Sequence, residues 1–122
     1  MVSAKPPGAS FVPVRRLAVR AMHLVQILLP LSDNEGRRFP RELYGRVRSE
    51  LVERFGGLTA FTRAPAEGLW TEGGETSRDE IVIFEVMTDA LDRDWWRAYR
   101  RDVEARFRQD VVVIRAQAIE QI

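Results

Sequence analysis

Met22-His23-Leu24-Val25-Gln26-Ile27-Leu28-Leu29-Pro30 is apolar at almost every step and has no helical rhythm. Arg41-Glu42-Leu43-Tyr44-Gly45-Arg46-Val47-Arg48-Ser49-Glu50-Leu51-Val52-Glu53-Arg54-Phe55 brings its apolar residues back every third or fourth position. The first stretch reads as a strand buried on at least one side, the second as an amphipathic helix. The same switch recurs further on. A β-branched run, Glu80–Met87, leads into an apolar-periodic segment, Ala90–Arg108, and then into a last strand, Val111–Ala118. A short strand, Leu58–Arg63, lies between the two halves. The order is βαββαβ, an α+β plait in which a four-stranded antiparallel sheet of order 4-1-3-2 carries two helices on one face.

The punctuation agrees. Pro30 lacks the N–H that a ladder needs, and Ser32-Asp33-Asn34-Glu35-Gly36 is turn chemistry, not a calcium loop, because the ligand spacing and closing glutamate are missing. Pro40 suits a helix start and Gly56-Gly57 a helix end. Thr88 or Asp89 is the expected cap of the second helix, whose buried arc reads as Leu91, Trp95, Ala98, Tyr99, Val103 and Phe107, with Trp96 at its edge. Asp102 and Arg106 form an i,i+4 pair inside that arc.

Composition narrows the function. A chain of 122 residues makes one domain, and it has no cysteine, which removes disulfides, zinc–thiolate sites and thiol nucleophiles together and fits a cytoplasmic setting. No apolar run approaches the roughly 18 residues of a membrane span. The net charge of +1 is unevenly spread: residues 1–21 hold Lys5, Arg15, Arg16 and Arg20 and no acid, which leaves residues 22–122 mildly acidic. Bulk attraction to nucleic acid is therefore not expected. Residues 1–21, broken by Pro6, Pro7, Gly8 and Pro13, read as a disordered basic extension ahead of a domain over 22–122, with Met22 a candidate start.

Side chains alternate across a sheet. Val25, Ile27 and Leu29, then Val82, Phe84 and Val86, then Val112, Ile114 and Ala116 belong on the helix side. The other face holds Leu24, Gln26 and Leu28, then Ile81, Ile83 and Glu85, then Val113, Arg115 and Gln117. The strand order aligns Glu85, Gln26 and Arg115 as one polar row in an aliphatic field. This row is the candidate ligand-binding site, and Trp70, in the long connection 65–78, is the candidate lid. So much bare apolar surface also calls for a homodimer through this face, with Arg115–Glu85 as a specificity pair inside it. The face has no stacking aromatics of the RNA-recognition kind, and there is no phosphate loop or dinucleotide fingerprint. His23, the sole histidine, reads as structural, and no residue pattern implies a cofactor or metal.

Leu28-Leu29-Pro30-Leu31, Asp33-Asn34-Glu35-Gly36, Phe39-Pro40, Phe55-Gly56-Gly57-Leu58-Thr59-Ala60, Gly68-Leu69-Trp70, Glu85-Val86-Met87 and Trp95-Trp96 together resemble a family of bacterial proteins of about 100 residues, an ordinary single-domain length. The resemblance spans Met22–Ile122 and implies a ferredoxin-like plait. It brings no catalytic residues, since the family has no established activity. By fold analogy the plait is similar to dimeric α+β barrels, a group that includes small monooxygenases. Two functions are therefore expected: a small homodimeric protein binding a partly apolar molecule or partner on its open face, or an enzyme acting on a hydrophobic small molecule in the same cleft.

Overall fold

A computed structural model describes residues 20–63, 71–72, 75–76 and 80–122. Strand β1 (Arg20–Pro30) begins ahead of Met22, because Arg20 and Ala21 pair with Gln121 and Glu120. It stops at Pro30, and the chain turns through a loop held by Asp33. The Asp33 carboxylate accepts the backbone N–H groups of Arg37 at 2.8 Å and Glu35 at 2.9 Å, and Gly36 takes φ 83°. Helix α1 (Arg41–Phe55) follows Pro40, whose extended backbone sets the entry angle. It ends where Gly56 turns left-handed at φ 84° and donates its N–H to Val52 O at 2.8 Å. Strand β2 (Thr59–Arg63) follows. Two short strands, β3 (Thr71–Glu72) and β4 (Glu75–Thr76), pair within the long connection. Strand β5 (Ile81–Thr88), helix α2 (Arg93–Arg106) and strand β6 (Val113–Gln121) complete the chain.

The main sheet is antiparallel throughout, in the order β2-β5-β1-β6, which is the expected 4-1-3-2 read in reverse. The expected helix-side residues are in place. Val25, Ile27, Leu29, Phe84, Val86 and Val112 are buried with Val47 and Leu51 of α1 and Trp96, Tyr99 and Val103 of α2. Each such aliphatic or aromatic side chain contributes about 1.5–3 kcal/mol by leaving water. Phe107, just past α2, is fully buried and meets Phe39 and Tyr44 edge-on at 5.1 and 5.3 Å. The Tyr44 hydroxyl donates to Pro30 O, tying α1 to the end of β1.

Helix α2 departs from expectation at both ends. It starts at Arg93, not Ala90, and its cap is Asp92, whose carboxylate accepts from Trp95 N at 3.1 Å. Thr88 does not cap, because its hydroxyl is engaged with Ala90 O at 2.9 Å. At the far end Arg108 sits at φ 50°, which the helix cannot continue through. The buried stripe keeps Tyr99, Val103 and Phe107 of the expected arc but takes Trp96 in place of Trp95. Trp96, Tyr99 and Val103 (i, i+3, i+7) form its centre, whereas Trp95 is half-buried at the margin and Ala98 is exposed. Trp95 stacks on Tyr99 at 4.9 Å, and Phe55 at the end of α1 stacks on Trp96 at 5.2 Å. Among the described residues no helix is long and apolar enough to cross a membrane.

Candidate functional site

The face of the sheet away from the helices carries the residues set by strand parity: Thr59 and Phe61 on β2, Ile81, Ile83, Glu85 and Met87 on β5, Leu24, Gln26 and Leu28 on β1, and Val113, Arg115 and Gln117 on β6. Pairing aligns Thr59 with Glu85, Glu85 with Gln26, and Gln26 with Arg115. The expected polar row therefore exists, and it is joined. Gln26 Nε2 donates to Glu85 Oε1 at 2.8 Å, and Arg115 Nε donates to Gln26 Oε1 at 2.8 Å. The amide sits between the two charges with its N–H toward the carboxylate and its carbonyl toward the guanidinium. Charge-assisted bonds of this kind are the stronger class.

One detail differs from the sequence reading. Arg115 and Glu85 stand two strands apart, so no direct ion pair forms and Gln26 relays between them. Both ends keep capacity. Among the described residues the terminal guanidinium nitrogens of Arg115 and the second carboxylate oxygen of Glu85 have no partner. The centre of the face is less bare than alternation implies: Ile83 is only 5% exposed, flanked in register by Phe61 and Leu28. Trp70 lies outside the described residues.

Concave surface flanks the row on both sides. At one end a cavity of about 690 Å³ has Leu28, Pro30, Ile81 and Val113 as its apolar floor and Asp33, Asn34 and Glu80 on its rim. The two backbone N–H groups that organise the loop, that of Arg37 foremost, hold the Asp33 carboxyl below the usual range, while Arg108 lies 4.0 Å from Asp33 and Arg38 pairs with Glu80 at 3.2 Å. At the other end a cavity of about 320 Å³ is lined by Leu24, Glu85 and Met87 together with the Gly56–Thr59 turn. The arrangement offers an apolar surface with a donor fork at one point and a carboxylate acceptor at another. Chemically, such a set can donate to an acceptor at one point and accept from a donor at another, with hydrocarbon surface between them.

A second polar cluster escaped the sequence reading. Glu50 of α1 accepts Arg106 Nη1 and Nη2 at 2.7 and 2.8 Å and the Tyr99 hydroxyl at 2.8 Å, while Arg106 also bonds Asp102 at 2.7 Å. The expected Asp102–Arg106 pair is thus part of an interhelical network. Its charges reinforce one another. Hydrogen bonding to Arg106 holds the Glu50 carboxyl low, and Glu50 in turn raises Arg106. Burial, followed by the bond to Glu50, pushes the Tyr99 hydroxyl well up. The cluster joins the two helices through the Glu50 carboxylate. His23 lies on the helix side opposite Thr88 and Ala118, with Nδ1 buried and without a hydrogen-bond partner among the described residues.

No protein-family profile and no curated protein matches the chain. Its fold is similar to that of a phage SAM lyase in complex with S-methyl-5′-thioadenosine, with a TM-score of 0.56 at 11% sequence identity, covering 81% of this chain and 88% of that one. A phage SAM lyase in the apo state aligns at a TM-score of 0.43 and 13% identity over 86% of each chain. At these identities the likeness is one of fold.

Proposed function

We propose that the protein binds a small amphiphilic molecule on its open sheet face, with the ligand's polar group held between Arg115 and Glu85 and its apolar part lying over Leu24, Leu28 and Met87. The hydrogen-bonded row Arg115–Gln26–Glu85 carries this reading. It is preorganised across an aliphatic field, has unused donors at one end and an unused acceptor at the other, and is bordered by two cavities. The fold neighbour supports the ligand class by analogy. Its structure holds S-methyl-5′-thioadenosine, an adenosine with an apolar methylthio group. A single-domain ferredoxin-like protein of the bacterial family that shares the Phe55–Ala60 motif, working in the cytoplasm, is part of the same proposal.

Calorimetric titration with S-methyl-5′-thioadenosine, joined to native mass spectrometry of protein purified from its producing cells, tests the reading. A bound small molecule is expected, and Glu85→Gln or Arg115→Ala should weaken it about 10-fold or more, the effect of one hydrogen bond to a charged group. No retained molecule, together with no heat from the titrant at millimolar concentration, overturns it. A second reading, an enzyme acting on a hydrophobic small molecule in the same cleft, draws on Glu85, a carboxylate that lines the cavity of about 320 Å³. Mass analysis of the titrated sample for a chemically altered product separates the two.

A further inference from the structure

Strand β6 is the outer strand on the α2 side of the sheet and runs for nine residues, with Arg115 through Ala118 all exposed. Among the described residues no strand pairs with its outer side, and a long unpaired edge is a template for another strand. The sequence of β6 suits a second copy of itself. Antiparallel pairing centred on Gln117 keeps each face on its own side. It sets Ala116 opposite the partner's Ala118, Arg115 opposite the partner's Ile119, and Ile114 opposite the partner's Glu120. On the helix side the alanines present no bulk to such an approach.

The helix side also supplies charge complementarity. Helix α2 leaves the β6 edge uncovered, and a cavity of about 150 Å³ lies between them. Val25, Trp96, Ile114 and Ala116 floor it, and Arg93, Arg97 and Arg100 wall it. These three arginines fall at i, i+4 and i+7 on one side of the helix. Arg97 bonds Asp94 at 3.1 Å and Arg100 reaches Glu104 at 3.7 Å, while Arg93 has no anionic partner among the described residues. Glu120 has no cationic partner among them either, and its parity places it on the helix side. In the β6–β6 register it comes beside Ile114 of the other copy, at the arginine wall. We propose that two copies associate through antiparallel β6–β6 pairing, with Glu120 of each copy meeting the arginine-lined groove of the other. The contact is isologous, so both grooves fill at once. In this proposal the homodimer expected through the open face forms at the sheet edge instead, and the open face stays accessible.

The test is a charge exchange read by light scattering and sedimentation. Glu120→Arg sets cation against cation at both symmetry-related contacts, and Arg97→Glu sets anion against anion. Each variant alone should raise the dimer dissociation constant at least about 10-fold, equivalent to about 1.4 kcal/mol. Mixing the two should restore dimerisation, because every contact in the mixed dimer then joins opposite charges. Both positions are exposed, and circular dichroism confirms that each variant is folded. A wild-type protein that stays monomeric at high micromolar concentration overturns the proposal. So does a dimer indifferent to Glu120→Arg, or a mixture that does not associate.

Discussion

Replacing Glu50 with alanine removes three hydrogen bonds that cross from α1 to α2: two from Arg106 at 2.7 and 2.8 Å and one from Tyr99 at 2.8 Å. The Arg106 side chain is only 10% exposed, so water replaces little of what it loses, but Asp102 remains bonded at 2.7 Å and its charge is not orphaned. The Glu50 side chain is 33% exposed, which places the network between a surface pair and a sealed one. A wholly buried pair broken on one side costs about 3–5 kcal/mol, and an exposed pair 1 kcal/mol or less. The intermediate exposure therefore predicts a loss of about 2 kcal/mol, or about 10 °C in Tm for a domain of this size. Urea unfolding followed by far-ultraviolet circular dichroism measures it, and the m-value should not change.

The effect has a pH signature. Arg106 holds the folded Glu50 carboxyl below its usual 4.5, so between the two pKa values the unfolded chain binds the proton more readily. The Glu50 contribution is therefore complete above about pH 4.5 and fades as pH falls through the folded value. The gap between wild type and Glu50→Ala should narrow on acidification. A loss below about 0.5 kcal/mol at neutral pH, typical of an exposed substitution, would refute the reasoning. So would a gap that does not change with pH.

Two further outcomes follow from the local geometry. Asp92→Ala removes the cap on Trp95 N and should cost about 1 kcal/mol, measured by chemical denaturation. Burial pushes Tyr44 up to about 12 and raises Tyr99 as well, so absorbance near 295 nm should show almost no phenolate at pH 10 while the protein is folded. The folded state then binds more protons than the unfolded chain above pH 10, so stability should fall as pH rises through that range.

Strand parity was readable because period-2 alternation depends only on neighbours along the chain. That was enough to place Gln26, Glu85 and Arg115 on one face, and topology then aligned them. The α2 cap was less readable. Asp89 and Asp92 are equally good capping residues by type, and the choice turns on Thr88 bonding to Ala90 O. The exchange of Trp95 and Trp96 has a similar origin, since Phe55, at the end of a different helix, packs flat on Trp96 and draws it inward. Glu50 was hidden because its partners lie on α2, and on α1 alone it resembles any solvent-facing acid.

The Arg115–Gln26–Glu85 row also guards against misalignment. Shifting β1 by two residues would keep every side chain on its proper face, so hydrophobic patterning does not oppose it. Such a shift sets Gln26 beside Ile83 or Met87 on one flank and beside Val113 or Gln117 on the other. The carboxylate and guanidinium would then lose the amide that joins them, at about 0.5–1.5 kcal/mol for each hydrogen bond given up. Swapping one aliphatic neighbour for another costs far less. Three polar side chains thereby pin the alignment of three strands, and a Gln26→Leu chain would keep its core while losing its discrimination among sheet alignments.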